Sequence, residues 1–224
     1  KILLKIIDEN KPVIFISGHF ANFELMSMEL TKKGIKLATI YRPLNNYFLN
    51  PFMEYMRSTY VCKHQIKKGL AGVKESINYI KKNFSIALMV DQRVSEGKRL
   101  PFFDSMALTT TLPAQLAAKY QLDIVPIYIA RDKNDDFEVE IYEPIKMSNK
   151  EDNEISKIDL TIKLNKITEK QRRLSEYGDM INAVDTKLAE ISKIIKTYDL
   201  KLSENVDDKL TSFIDYLEGQ NSKL

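Results

Sequence analysis

A histidine and a glutamate stand close together where an apolar segment ends. Residues 13–16 are apolar, Ser17, Gly18 and His19 follow them, and Glu24 comes five residues after His19. The apolar run before Ser-Gly predicts a strand that ends in a turn, and a helical pattern begins directly afterwards. Helical side chains lean toward the N-terminus, so a Glu24 in the second helical turn is expected to reach His19. A histidine oriented by a carboxylate is suited to act as a general base.

The first 150 residues alternate between strand-like and helical patterns. Strands are predicted at residues 13–17, 36–41, 85–90, 124–130 and 137–142, and helices at 20–33, 47–59, 70–82 and 111–120. Several strands are almost wholly apolar, as expected where helices cover both faces of a sheet. Residues 137–142 alternate between apolar and polar side chains, which indicates an edge strand. The predicted fold class is therefore α/β, with a mostly parallel sheet flanked by helices.

Charged residues follow several of the predicted strands. Ligands of open α/β sheets gather at the C-terminal ends of the strands, where His19, Arg42, Asp91 and Arg131 all stand. The planar guanidinium of Arg42 suits a phosphate group, although it could instead pair with a surface carboxylate. Asp91 could belong to the site or cap a turn after its strand.

Apolar side chains are frequent in the first two predicted helices. They could line a groove for an acyl chain, but the same spacing is typical of core packing, which is the favoured expectation. The residues concerned are Phe20, Phe23, Met26, Met28, Phe48, Phe52 and Met53.

Charge is distributed unevenly along the chain. Residues 1–150 contain 22 Lys+Arg and 16 Asp+Glu, whereas the remainder contains 12 and 15. The mildly basic first part suits phosphate groups, an acidic carrier protein or an anionic membrane surface. Nucleic acid is not an expected partner, because a dense basic stripe with stacking aromatics is missing.

Cysteine and histidine usage gives no framework for a disulfide or a metal ion. Cys62 is the single cysteine, which excludes an intramolecular disulfide. Cys62 and His64 have the spacing of two metal ligands, but two ligands alone make a poor site and a structural role is expected. The chain has no apolar run of transmembrane length and no signal-peptide pattern.

The sequence changes character after about residue 153. It becomes rich in Lys, Glu and Asp, and its apolar residues recur at intervals of three and four, which predicts a coiled coil or long helical hairpin. These heptad positions are Leu174, Tyr177, Ile181, Val184, Leu188, Ile191, Ile195, Tyr198 and Leu202. Residues 166–224 are therefore interpreted as a helical extension of an α/β domain at 1–165, and the extension could form homo-oligomers.

Further blocks follow the His-Glu corner in a fixed order. They are Tyr41-Arg42-Pro43-Leu44-Asn45-Asn46, Lys67-Lys68-Gly69, Val90-Asp91-Gln92, Leu100-Pro101-Phe102-Phe103 followed by Thr109, and Ile124-Val125-Pro126-Ile127 with Arg131. With Ser17-Gly18-His19-Phe20-Ala21-Asn22-Phe23-Glu24, they resemble the bacterial lipid A biosynthesis acyltransferases. That lauroyl/myristoyl transferase family belongs to the wider His-x4-acid acyltransferase group, and the resemblance covers residues 1–165.

The resemblance implies transfer of a fatty acyl group from an acyl carrier protein thioester to a hydroxyl of a lipid A precursor. In this scheme His19 deprotonates the hydroxyl and Glu24 orients His19. Acyl-ACP is a co-substrate, and no cofactor or metal is expected. The implied substrate-binding residues are Gly18, Asn22, Arg42, Lys68, Asp91, Gln92 and Arg131.

The resemblance also implies a location at the cytoplasmic face of the bacterial inner membrane. The family has an N-terminal membrane anchor, expected here upstream of Lys1, and a C-terminal block rich in Trp, Pro and Arg that this Trp-free sequence does not show. Two alternatives stay open. The acceptor could be another glycolipid or a lysophospholipid, or the chain could be a truncated, non-catalytic protein that assembles through its coiled coil.

Overall fold

Six segments form a central sheet in the computed structural model, which describes residues 2–132, 136–146 and 154–203, with side chains up to 198. They are β1 Ile14–Ser17, β2 Leu37–Tyr41, β3 His64–Lys67, β4 Ser85–Met89, β7 Ile124–Arg131 and β8 Phe137–Ile141. Their order is β3-β2-β4-β1-β7-β8. All neighbours run parallel except β8, which is antiparallel to β7. The predicted α/β fold with a mostly parallel sheet is confirmed.

Helices cover both faces of this sheet. They are α1 Ile2–Glu9, α2 Phe23–Lys32, α3 Leu49–Met56, α4 Leu70–Lys81, α5 Leu112–Tyr120 and α6 Glu154–Ser203. Successive side chains of a strand point to opposite faces, so Ile14 and Ile16 pack in a cluster with residues of α4, α5 and α6. Phe15, between them, packs in a second cluster with residues of α1 and α2.

The structure contains three strands that the sequence did not predict. β3 contains one apolar residue, Ile66, which is also its one buried residue, so its pattern is too weak to stand out. β5 Lys98–Phe102 and β6 Ser105–Thr109 form a separate antiparallel hairpin. Pro101 within β5 argues against a strand by its sequence, but this two-stranded hairpin tolerates it. The prediction of an edge strand at 137–142 is confirmed by β8.

The first helix after β1 starts later than predicted. α2 begins at Phe23, with Asn22 at its N-cap position, rather than at residue 20. Ala21 adopts a positive φ of 39°, and the Phe20 N–H donates to the Gly18 carbonyl at 2.9 Å. This tight turn delays the helix, so Glu24 lies in the first helical turn and not in the second.

The chain divides into two compact units, residues 1–175 and 176–224. The first unit includes the start of α6, where Leu160 and Leu164 are buried and Gln171 Nε2 donates to the Ile127 carbonyl at 3.3 Å. These contacts join the start of α6 to the first unit, and the domain boundary at 165 stays a prediction.

The second unit continues α6 as one long helix, of which the structure describes residues up to 203. Its apolar heptad positions with described side chains are exposed, for example Ile181 at 54% and Leu188 at 55%. The helical prediction for 204–224 lies outside the described residues. In the described part of the chain, no helix combines the length and apolarity needed to cross a membrane.

Candidate functional site

His19 and Asp91 meet because their strands are neighbours. β1 pairs in parallel with β4, with Ser17 opposite Met89, and the Val90 N–H donates to the Ser17 carbonyl at 2.9 Å. The backbone then continues for two residues beyond the end of each strand, to His19 and to Asp91. This brings His19 Nδ1 to 2.7 Å from Asp91 Oδ1.

Asp91 is held by three donors and is almost fully buried. Its Oδ2 accepts from the His19 backbone N–H at 2.8 Å and from Arg172 Nη2 at 3.0 Å. The side chain is only 5% exposed. Burial acts to raise the pKa of Asp91, but the side-chain and backbone hydrogen bonds from His19 outweigh it, and the pKa lies below its ordinary value. The carboxylate is therefore ionised at neutral pH.

Gly18 is required by this close approach. A Cβ at this position would lie 2.6 Å from Cζ of Phe20 and 3.1 Å from Asp91 Oδ2. Only glycine lets the turn bring the His19 backbone against the carboxylate without displacing the Phe20 ring. The role of Gly18 in this structure is thus to shape the turn.

Glu24 pairs with Arg57, and the carboxylate on His19 is Asp91. Glu24 Oε1 accepts from Arg57 Nε at 2.9 Å and from Nη2 at 2.6 Å. The sequence predicted that Glu24 orients His19. In the structure α2 begins three residues later than predicted, and Glu24 bonds to Arg57 instead. Arg57 is brought to Glu24 by the π-helical turn Arg57–Val61, which directly follows α3.

The other ring nitrogen of His19 faces a polar side chain. The amide nitrogen of Gln92 lies 3.2 Å from His19 Nε2. Phe23 packs edge-on against the imidazole, with 4.7 Å between ring centroids. With Nδ1–H donating to the ionised Asp91, the lone pair of Nε2 is directed toward Gln92, and this nitrogen can accept a proton from a substrate.

A cavity of about 540 Å³ opens beside His19. It is bordered by α2, by the ends of β2, β3 and β4, by the loop residues 92–97 and 110–111, and by the first residue of α5. Its lining includes apolar side chains such as Phe23, Leu44 and Leu70. The described charged residues of the lining are Arg42, Arg57, Lys67 and Lys68 on the basic side and Glu24 and Glu96 on the acidic side. The cavity therefore combines an apolar interior with an excess of positive charge.

Glu54 connects α3 to the basic edge of the cavity. It accepts from the Tyr41 hydroxyl at 2.7 Å and from Asn50 at 3.0 Å, and it pairs with Lys67 at 3.2 Å. The hydrogen bonds from Tyr41, Asn50 and Lys67 lower the pKa of Glu54 to about 2. Burial and the same hydrogen bond raise the pKa of Tyr41, which stays protonated as a donor.

The structure brings most of the predicted site residues together, but not all of them. The cavity lining includes His19, Glu24, Arg42, Lys68 and Gln92. Asp91 is not part of the lining, but it is hydrogen-bonded to His19 Nδ1. Asn22 and Arg131 are outside the lining. They lie at the exposed N-cap of α2 and at the exposed end of β7, where the Arg131 guanidinium stands 4.9 Å from the Phe137 ring.

Two arginines of the site were missed by the sequence analysis. Arg57 lies at the end of an amphipathic segment. The sequence signal for its role in the site was that it is a single cation among apolar residues. Arg172 lies where the heptad pattern begins. Its guanidinium contacts Asp91 and stands 5.0 Å from the Phe20 ring centroid. Only the path of α6 along the sheet reveals this contact.

Potential metal ligands do not assemble in the described part of the chain. No group of three or more His, Cys, Asp and Glu side chains could hold an ion there. Cys62 is buried and its thiol donates to the Leu37 carbonyl at 3.2 Å. The His64 ring packs against Tyr79 and Phe84, with 5.3 Å and 4.8 Å between centroids.

The Glu24–Arg57 pair is expected to stabilise the fold. Its side chains are 27% and 15% exposed, so water screens their attraction only in part. A double-mutant cycle with Glu24→Gln and Arg57→Gln should give a coupling free energy of about 1–3 kcal/mol in urea unfolding. The exposed Glu29–Lys32 pair is the matched control, expected to give at most about 0.5 kcal/mol. Equal coupling for the two pairs would contradict the structural role given to Glu24.

A family model described as "Bacterial lipid A biosynthesis acyltransferase" matches residues 2–173. The match ends close to the boundary of the first compact unit and includes every residue of the cavity. No curated protein matches the chain.

Proposed function

Because the chain belongs to the family of bacterial lipid A biosynthesis acyltransferases, we propose that it moves a fatty acyl group from an acyl carrier protein thioester to a hydroxyl of a lipid A precursor. The family implies an acyltransferase. The observation that carries the finer proposal is the 2.7 Å hydrogen bond between His19 Nδ1 and Asp91 Oδ1 at the edge of a basic cavity. The reaction is proposed to take place at the cytoplasmic face of the inner membrane.

His19 is the general base of the proposed reaction. Asp91 holds the proton on Nδ1, so Nε2 takes the proton of the acceptor hydroxyl as its oxygen attacks the thioester carbonyl. The new C–O bond forms, the C–S bond breaks, and the departing thiolate receives the proton from Nε2. Asp91 stabilises the imidazolium between these steps, because its negative charge lies 2.7 Å from Nδ1.

Arg57 is proposed to stabilise the negative charge that develops on the carbonyl oxygen. Its Nη1 is buried and has no hydrogen-bond partner among the described residues, whereas Nε and Nη2 are held by Glu24. Arg57 lines the cavity, and its positive charge favours a transition state in which an oxyanion forms nearby. Glu24 then fixes the direction of the guanidinium and balances its charge.

The basic residues at the mouth of the cavity support a phosphorylated substrate. Arg42, Lys67 and Lys68 all line the cavity, and their charges suit the phosphates of a lipid A precursor or of phosphopantetheine. The apolar part of the lining suits an acyl chain.

The test is an acyl-transfer assay with the purified chain. It combines acyl-ACP with a lipid A precursor, another glycolipid or a lysophospholipid in detergent micelles, and mass spectrometry detects the acylated product. Transfer to the lipid A precursor, dependent on His19, is expected. Preference for another acceptor would change the proposed acceptor but would leave the proposed acyl-transfer mechanism unchanged. No transfer to any acceptor, with a stable oligomer in ultracentrifugation, would favour an assembly role through the exposed heptad positions of α6.

A further inference from the structure

Helix α3 has its polar side inward and its aromatic side outward. No residue of α3 is buried, and Phe48, directly before it, is 96% exposed. Phe52 and Tyr55 follow at 56% and 60% exposure. Positions 48, 52 and 55 are separated by four and three residues, so these rings share one face of the helix. A surface helix of a soluble domain normally has the opposite arrangement.

The inward face of this helix is occupied by hydrogen-bonded polar groups. Glu54 is held by Tyr41, Asn50 and Lys67, and Arg57, just after the helix, is held by Glu24. These contacts fix the rotation of the helix. The outward aromatic face therefore follows from satisfied contacts on the inward side.

The segment that leads into α3 is also ordered. Asn46 Oδ1 accepts from the backbone N–H groups of Phe48 and Leu49, both at 3.0 Å, and Asn50 Oδ1 accepts from the Leu44 N–H at 2.8 Å. Tyr47 in this segment is 91% exposed. The apolar rings are thus presented on a preorganised surface.

This aromatic surface, formed by Tyr47, Phe48, Phe52 and Tyr55, is joined to the cavity by Leu44, which lines the cavity and donates its N–H to Asn50 of α3. Leu44 and Leu70 are 36% and 83% exposed, and both also line the cavity. The basic residues Arg42, Lys67 and Lys68 belong to the same lining. Exposed aromatic rings therefore stand on the segment next to the apolar and basic lining of the cavity, and this combination suits the interface of an anionic bilayer.

We infer that the aromatic surface docks the chain onto an anionic lipid bilayer, with its rings in the interfacial layer and the cavity opening toward the lipids. The inference deepens the proposed function, on which it rests only for the lipid nature of the acceptor. A lipid acceptor would enter the cavity from the bilayer past Leu44 and Leu70. An acidic carrier protein would also be attracted by the cations, but exposed Phe side chains match an acyl layer better than a hydrated acidic surface.

The absence of Trp makes a site-specific test straightforward. Phe48→Trp introduces a single indole into the aromatic surface, and Leu4→Trp introduces one at another exposed position, 64% exposed on α1. With phosphatidylglycerol vesicles, the indole of the Phe48→Trp variant should shift its emission to shorter wavelength and be quenched by brominated acyl chains. The indole of the Leu4→Trp variant should show neither effect.

Two results of this fluorescence experiment would overturn the inference. One is an emission spectrum of the Phe48→Trp variant that vesicles leave unchanged. The other is a response of the same variant to acyl carrier protein alone, with none to vesicles, which would assign the aromatic surface to that protein.

Vesicle sedimentation gives the second measurement. Removing the two apolar rings in Phe48→Ser/Phe52→Ser should weaken binding to anionic vesicles about 100-fold or more. The control Leu4→Ser/Met106→Ser removes two other exposed apolar side chains, 64% and 55% exposed, and should bind like the wild type. Thermal unfolding verifies that both double variants fold. Equal binding by the two double variants would contradict the inference.

These experiments contain no acyl substrate, so they separate docking from catalysis. Vesicle binding without acyl transfer would leave the docking surface standing and reject the proposed function. Acyl transfer to a detergent-dispersed acceptor without vesicle binding would support the proposed function and reject the docking surface.

Discussion

Replacing His19 with alanine is expected to lower kcat/KM for acyl transfer about 10³-fold, because a positioned general base contributes about 10²–10⁴ in rate. The cavity, its cations and the Arg57 guanidinium stay in place, so acceptor binding should change far less than kcat. Steady-state kinetics, which report kcat and KM separately, measure both effects.

The second histidine of the chain provides a matched control. His64 lies on β3 and packs against aromatic rings outside the cavity lining. His64→Gln should retain wild-type turnover, and both variants should unfold cooperatively in a thermal scan. Turnover in His19→Ala close to that of the wild type would reject the proposed mechanism.

Replacing Asp91 with asparagine is expected to lower kcat by about 10²–10⁴, although no atom of the base is removed. Three donors converge on Asp91, and an amide offers only one oxygen. If that oxygen accepts from the His19 backbone and Arg172, the amide NH₂ faces His19 Nδ1. His19 must then carry its proton on Nε2, where it cannot act as a base.

Nitrogen NMR of the two imidazoles reads this tautomer directly. The chain has only two histidines, so comparison with His64→Gln assigns each signal. Asp91→Asn should move the proton of His19 from Nδ1 to Nε2, and Asp91→Glu should restore part of the activity. Glu24→Gln should leave the tautomer unchanged, because Glu24 bonds to Arg57. A shift in Glu24→Gln with none in Asp91→Asn would return the orienting role to Glu24.

The same substitution has a pH-dependent effect on stability. The pKa of Asp91 is lower in the folded protein than its ordinary value of 3.8, so the ionised carboxylate stabilises the fold above that pH. The stabilisation is lost as the pH falls through the lowered pKa. The difference in unfolding free energy between wild type and Asp91→Asn should therefore be larger near neutral pH than below the ordinary pKa, as urea titrations measure.

The sequence predicted the strands that carry the site because their apolar runs are distinct. It also placed His19 and Asp91 at strand ends. It did not predict their hydrogen bond, since that depends on β4 lying beside β1, which is a property of strand order. The unexpected partner of Glu24 has a local cause, because the positive φ of Ala21 delays α2 and no glycine signals it.

The aromatic side chains in α3 and directly before it show another limit of prediction from sequence. Phe48 and Phe52 were expected in the core, yet both are exposed, whereas Phe20 and Met26 are buried as expected. Amphipathic spacing reveals that a helix has two faces, but it does not reveal which face meets the protein. Here the polar contacts of Glu54 and Arg57 decide the orientation, and these partners come from distant segments.

The parallel register of the sheet fixes the His19–Asp91 pair independently of much of the cavity wall. His19 and Asp91 are fixed by the ladder between β1 and β4, whereas residues 92–97 and 110–111 of the cavity wall belong to connections outside that ladder. Connections tolerate insertions and exchanges that a ladder does not. Grafting these two connections from relatives should therefore change the accepted lipid without realigning the acid–base pair, which makes the scaffold a suitable starting point for engineering acceptor range.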